Sequence, residues 1–160
     1  MPPAGGTGTQ FFLKIDNIEG ESTVKGHEKE IELLSWSWGE TSQQLPAGSN
    51  AQGKVTMQDV HVEMAVSKAS PKLFQACTRG ENLKSALLTG QRGMANKAQY
   101  LKITFSELWV TSYQSGILSD EKGTATDRVS FNFARVEMEY SAAPGQVIKA
   151  GWDVKQNKPV

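Results

Sequence analysis

Two tryptophans separated by a single serine, Trp36-Ser37-Trp38-Gly39, close a segment that leaves the chain few ways to fold. Successive side chains of a strand alternate sides, so a strand here puts both indoles on one face and the serine on the other. Indoles are large apolar bodies best placed in a core. The stretch before them, residues 18–39 (IEGESTVKGHEKEIELLSWSWG), reads as a turn with Gly20 and Gly26, a charged approach, then a strand over 28–38. Alternation assigns Leu34, Trp36 and Trp38 to the core face. Ser35 and Ser37 fall opposite, sharing their face with Ile31 and Leu33 at the strand's start.

The rest of the chain is mostly strand. Residues 1–10 are rich in Pro, Gly and Thr and read as a flexible arm. Phe11, Leu13 and Ile15 alternate with Phe12, Lys14 and Asp16 to give the first strand. Residues 39–53 are polar, with Pro46 and three glycines, and exceed the usual hairpin connection. In 54–67 the apolar positions change phase, from Val55 and Met57 to Val60, Val62, Met64 and Val66. A period-2 pattern that slips near Gln58-Asp59 predicts a bulge. The same slip separates Val129, Phe131 and Phe133 from Val136, Met138 and Tyr140. Burial of both faces, one in the core and one against a neighbouring subunit, would give the same pattern. Bent strands suit a small barrel, which must curl to close.

One helix is predicted over 70–80, with Ser70 as N-cap, Pro71 at its first position and Gly80 as its stop. Leu73, Ala76 and Cys77 form its apolar stripe, and Arg79 complements the dipole in the last turn. A short strand is expected at 83–88 and a long one at 99–113. In the long strand Leu101, Ile103, Phe105 and Trp109 take one side and Leu108 and Val110 the other, with Trp109 the tryptophan expected to face a partner. A second variable loop covers 115–126. In 147–155, Ile148, Ala150, Trp152 and Val154 are expected inward. Six or seven strands and one helix argue a mainly-β barrel or sandwich. The domain is read as 11–157, with 158–160 as a tail.

Composition removes several functional classes. At 160 residues the chain fits one domain able to bury a core. Its 17 basic and 17 acidic residues cancel, so the basic footprint of a nucleic-acid binder is missing. Zero net charge also removes the repulsion that keeps proteins apart. A single cysteine, Cys77, forbids an internal disulfide and reads as a small buried apolar residue. The N-terminal MPPAGGTGTQ has neither the basic nor the apolar region of a secretory signal, and no apolar run is long enough for a membrane span. The expectation is a soluble protein made in the cytoplasm, leaving the cell, if at all, by another route than general secretion.

No catalytic constellation emerges. His27-Glu28 opens like a zinc-protease signature, but Ile31 stands where its second histidine belongs, and His61 is isolated on a strand. Ser22-Thr23-Val24-Lys25 spells S-x-x-K without its partner motifs or a helix. Glu28, Glu30 and Glu32 are expected on one strand face, where like charges in a row read as a solvated edge before they read as a glycosidase pair. Gly5-Gly6-Thr7-Gly8 opens no helix and cradles no phosphate. No metal or cofactor is implied.

Several segments in order resemble one family. Residues 18–39, Gly53-Lys54-Val55, Ser70-Pro71-Lys72-Leu73 with Ala76-Cys77, Tyr100-Leu101-Lys102-Ile103-Thr104, Phe131-Asn132-Phe133-Ala134 and Gly151-Trp152-Asp153-Val154 together resemble the haemolysin-coregulated protein family, the tube subunit of bacterial type VI secretion. The resemblance implies a compact β-barrel of six to eight strands with one lateral helix, assembled into a hexameric ring. Rings of this family stack into a tube inside a contractile sheath and beneath a spike protein, and some members hold small effector proteins in the lumen. It implies a structural subunit, not an enzyme, cytoplasmic when assembled and secreted through its own apparatus. Ser35 and Ser37 are then expected to face the lumen and its cargo. Gln43, Gln44, Ser49 and Asn50 would lie on a loop touching an adjacent subunit or ring, and Trp36, Trp38 and Trp152 would anchor the core. The N-terminal arm and both variable loops depart from the family's pattern. Three rivals stay open: a tail-tube subunit of a related injection particle or phage, a monomeric carbohydrate-binding β-sandwich, and an enzyme using the face of Glu28, Glu30 and Glu32.

Overall fold

The computed structural model describes residues 9–43, 54–92, 98–117 and 123–160. In chain order these form β1 (Gln10–Ile15), β2 (Ile31–Ser37), β3 (Glu40–Gln43), β4 (Lys54–Met57), β5 (Val60–Ala65), α1 (Ser70–Arg79), β6 (Leu83–Arg92), β7 (Ala98–Gly116), β8 (Thr126–Ala143), β9 (Gln146–Asp153) and β10 (Lys158–Pro159). Six antiparallel strands close on themselves in the order β8-β5-β2-β1-β6-β7, with β7 returning to β8. Closure leaves no open edge around the core. The barrel is filled by alternating inward residues, among them Leu13, Ile31, Val60, Val62, Met64, Leu88, Ile103, Phe105, Leu108, Val129 and Phe131.

The first strand begins at Gln10, and the last residues are not loose, since β10 pairs with Trp152 and Asp153 of β9. The expected slip at Gln58-Asp59 is a full break. There β4 leaves to pair with β3 as a separate two-stranded ribbon, while β5 joins the barrel. The faces expected for β7 are reversed in its second half. Glu107 takes φ 57°, between the Ser106–Arg135 and Leu108–Phe133 pairs, and the inward phase passes from Ile103 and Phe105 to Leu108 and Val110. Trp109 therefore lies on the outer face, half-buried, with Lys155 Nζ 6.0 Å from its ring centre. The partner strand β8 changes phase at the same level, from Phe133 to Ala134 and Val136. Both walls kink together.

β7 and β8 run 19 and 18 residues, longer than the barrel needs. One edge of β8 is therefore shared. Its residues 126–131 pair with β5, while 135–143 pair with β9. The second half projects past the closed barrel, which overturns the inward placement of Ile148 and Ala150. Both are exposed, Ile148 by 69%.

The helix packs on the barrel beside β7 through buried Leu73 and Ala76. Its N-cap is Ala69, which makes no side-chain capping bond, and not Ser70 as the residue pattern suggests. The Ser70 hydroxyl instead donates to Asp127, a fully buried carboxylate on β8 that also accepts from the Tyr113 hydroxyl at 3.0 Å. Gly80 ends the helix at φ 63°, a left-handed conformation that costs glycine little.

Burial, then the bond to Asp127, hold the Tyr113 phenol above its ordinary 10.0. A raised value means that this contribution to stability is complete below the unfolded value and is lost as pH climbs through the folded one. Tyr113→Phe should cost about 1.5–3 kcal/mol near neutrality, the worth of a hydrogen bond to a charged group. In urea denaturation the gap to wild type should narrow above pH 10. A constant gap would separate Tyr113 from Asp127.

Candidate functional site: an outer sheet face

The tryptophan strand is not regular. Between Leu33 and Ser35 the register of β2 against β5 shifts, leaving Leu34 as the extra residue of a bulge. The expected faces are corrected accordingly. Ile31 and Leu33 point inward with Trp36 and Trp38, whereas Leu34 is exposed by 57%. The two indoles are half-buried against the core. Trp36 meets the edge of Phe11 at 5.5 Å, and Trp38 that of Phe105 at 5.9 Å. Trp38 Nε1 is buried and has no hydrogen-bond partner among the described residues. Trp152 is half-buried on β9 and packs on the same core.

With the indoles inward, Ser35 and Ser37 stand exposed on the barrel's outer surface. The register then builds rows across three strands. Ser35 pairs with Glu63 of β5, which pairs with Arg128 of β8, and Arg128 Nε lies 2.6 Å from Glu63 Oε1. Ser37 pairs with His61, which pairs with Ser130, whose Oγ lies 2.6 Å from His61 Nδ1. Ser112 of β7 follows Ser130 in the same row. A third row joins Asp59, which accepts from Thr111 Oγ1 at 2.6 Å and from Asn132 Nδ2 at 3.2 Å. Small hydroxyls, amides and internally paired charges cover this face.

A serine against a histidine is half of a nucleophile–base pair, but catalysis also needs an orienting group and oxyanion donors around a reacting atom. Ser130 and His61 sit on a flat sheet face. The cleft of about 300 Å3 lies elsewhere, bordered by Lys102, Thr104, Glu137, Glu139, Lys149 and Val160.

The remaining sequence candidates scatter. The acidic trio does not form, because Glu28 and Glu30 lie in the loop before β2 and Glu32 alone is on the strand. The Gly26 amide donates to the exposed Glu28 carboxylate, and backbone bonds hold that carboxylate below its ordinary 4.5. His27 is a buried histidine stacked on Phe12, far in sequence from the exposed His61. Gln43 ends β3, its backbone paired with Lys54. Gln44, Ser49 and Asn50 lie outside the described residues.

Sequence reasoning missed the apolar side of the β8–β9 projection. Met138 lies between Ile103 and Ala150, and Tyr140 between Leu101 and Ile148, so each row shares one face. That face continues the barrel interior beyond its end and stays exposed at Met138, Tyr140 and Ile148, although Arg92 Nη2 reaches the Tyr140 hydroxyl at 3.4 Å and the Tyr100 ring meets that of Tyr140 at 6.4 Å. The signal was present in the phase of β8, but only the position of the barrel's end gives it this meaning.

The bulge makes a direct prediction. Leu34→Ser should change stability by less than about 0.5 kcal/mol, as exposed positions do. Leu33→Ala should cost about 2 kcal/mol, as for a side chain packed on the core. Regular alternation predicts the reverse order of urea midpoints.

Residues 12–140 match the family described as "Type VI secretion system effector, Hcp". The protein hcp1 of Pseudomonas aeruginosa is 36% identical over 156 residues, covering 92% of this chain and 96% of that relative. Among solved structures, Hcp1 from Salmonella typhimurium superposes with a TM-score of 0.79 at 32% identity, over 96% of this chain and 99% of its own. A type six secretion system protein superposes with a TM-score of 0.84 at 26% identity, over 94% and 99%.

Proposed function

The chain belongs to the Hcp family and is a subunit of the type VI secretion tube, and on that premise we propose that it forms hexameric rings whose lumen is walled by the outer face of β2, β5 and β8. Ser35 and Ser37 then meet cargo. The observation that carries this reading is the set of polar rows, Ser35–Glu63–Arg128 and Ser37–His61–Ser130. A wall that passes different proteins benefits from short, hydrogen-bonding side chains whose charges are already paired, because it offers no large apolar patch on which cargo would stick.

The ring closes through the apolar projection. Met138, Tyr140 and Ile148 continue the interior face of the barrel and remain exposed in the single chain. A neighbouring copy covers them, within an obligate interface on the order of 2,000 Å2 or more. The ribbon of β3 and β4 stands outside the barrel sheet. With Gln43 at the end of β3, it reaches an adjacent subunit or the next ring. Stacked rings run inside the contractile sheath, meet the spike protein at the tip, and are expelled with small effectors in the lumen. The subunit performs no catalysis.

Light scattering on eluting protein, followed by negative-stain microscopy, tests the ring. The expected result is a six-subunit mass and annular particles, and a monomer at micromolar concentration defeats the proposal. Ile148→Asp should leave the barrel folded by circular dichroism yet abolish the annular particles. Ser37→Gln should preserve rings while lowering the amount of effector that co-purifies with them. Rings of Ser37→Gln with undiminished cargo would move the cargo surface away from β2.

A further inference from the structure

We infer that Asp59 and Trp109 form a docking point for an arginine side chain on the outer face of the barrel, and that the cargo this face retains is protein bearing surface arginines. The first half concerns the subunit alone. The second rests on the reading of β2, β5 and β8 as the wall of the lumen.

Asp59, the residue before β5, shares the outer face with His61 and Glu63. Glu63 is paired with Arg128 at 2.6 Å, and His61 is bonded to Ser130. No lysine, arginine or histidine among the described residues forms an ion pair with Asp59. Its carboxylate is nonetheless fixed in place. The Thr111 hydroxyl donates to Oδ2 at 2.6 Å, and the Asn132 amide donates to Oδ1 at 3.2 Å. An ionised carboxylate offers about four lone-pair sites, shared between two oxygens. One bond to each oxygen therefore leaves acceptor capacity on both. A guanidinium presents a planar fork of donors that meets two carboxylate oxygens at once, whereas an ammonium is a point charge. The leftover capacity of Asp59 suits the fork.

Trp109 supplies the surface beside it. Asn132, which donates to Asp59, is the cross-strand partner of Trp109, and Thr111 follows Trp109 by two positions on β7. The indole is half-buried on the outer face and already attracts a cation of its own chain, for Lys155 Nζ lies 6.0 Å from the ring centre. That distance is the outer limit of a cation–π contact. Lys155 is exposed just beyond β9, so an incoming cation displaces it at small cost. Guanidinium stacks on aromatic faces and is more weakly hydrated than ammonium. It gains from the carboxylate and from the indole together.

One such point binds weakly, because exposed ion pairs are individually worth little. Copies repeated around a ring change the arithmetic. A cargo with several surface arginines engages several points at once, and each further contact is made at high effective concentration. Retention built from weak contacts also dissolves once the ring comes apart.

The test uses full-length 15N-labelled protein titrated with N-acetyl-arginine amide at about pH 8, where a free histidine is neutral. The Trp109 indole signal, identified by its loss in Trp109→Phe, should move and saturate. The uncharged citrulline analogue should give no saturable shift, and the lysine analogue should bind about threefold more weakly than arginine, the worth of the stacking it lacks. Asp59→Asn keeps the shape, removes the charge and should weaken arginine binding about tenfold. Lys155→Gln removes the resident cation and should tighten it. Asp59→Asn rings should co-purify with less effector than wild-type rings. An unmoved Trp109 signal, equal binding of the arginine and citrulline analogues, or wild-type affinity in Asp59→Asn would overturn the docking point. The comparison of analogues needs no variant to fold. Undiminished cargo in Asp59→Asn rings would overturn the second half. Probe binding by protein that forms no rings would count against the tube reading alone, and rings that ignore the probe against this inference alone.

Discussion

The long pairing of β7 with β8 sets the shape of the molecule. It runs from Leu101–Tyr140 to Gly116–Thr126, closes the barrel and also builds the projection beyond it. In a straight pair, strict alternation would turn Leu108 and Val110 to the face opposite Ile103 and Phe105, away from the core. The kink at Glu107 resets the inward phase, so that Leu108 and Val110 fill the helix end of the barrel while Ile103 and Phe105 fill its middle. Phe105 touches Phe131, Phe133 and Trp38, joining β2, β7 and β8 in one aromatic centre. Aromatic edge-to-face packing of this kind adds about 0.5–1.5 kcal/mol per pair beyond area burial.

Buried polar groups complement that apolar centre at two places. At the helix end Asp127 joins Ser70 of α1 to Tyr113 of β7, so a carboxylate with no access to water fixes the lateral helix on the barrel wall. On the outer side of β1, buried His27 lies between Glu30 and Gln91 and ties the long loop that delivers the chain to β2 onto β6. Gly20 belongs to the same arrangement, for a Cβ there would collide with the Glu30 carbonyl. Satisfied buried networks make one packing much better than its neighbours, because a displaced member is left desolvated and unpaired. A subunit that must present a defined face benefits from that rigidity.

Two surfaces of opposite character follow from one closed sheet. The outside of β2, β5 and β8 carries hydroxyls and ion pairs linked from strand to strand, such as Arg128 with Glu63. The projection of β8 and β9 carries Met138, Tyr140 and Ile148. The first is a polar face on which Arg128 and Glu63 are paired, and the second is an exposed apolar face. This division, within a member of the Hcp family, is what a tube subunit requires.

Much was legible in the residues themselves. Local alternation located most strands, Pro71 and Gly80 bounded the helix, and the ordered segments identified the family before any coordinate. Those signals survive because side-chain period and cap chemistry are local properties. Phase along a strand is not local. Whether Leu34 is expelled, or Trp109 turned outward, depends on a register set by partner strands that lie far away in sequence. Exposure of Ile148 depends on where the barrel ends, which no window of sequence contains. His27 and Asp127 carry no motif that marks them as buried. They became buried network members only when Gln91, 64 residues on, and Ser70, 57 residues back, came alongside. Residue order alone settles which segments are strands and what family they compose. Pairing between distant strands chooses the side of each strand that faces the core, because a shift of one residue exchanges the faces.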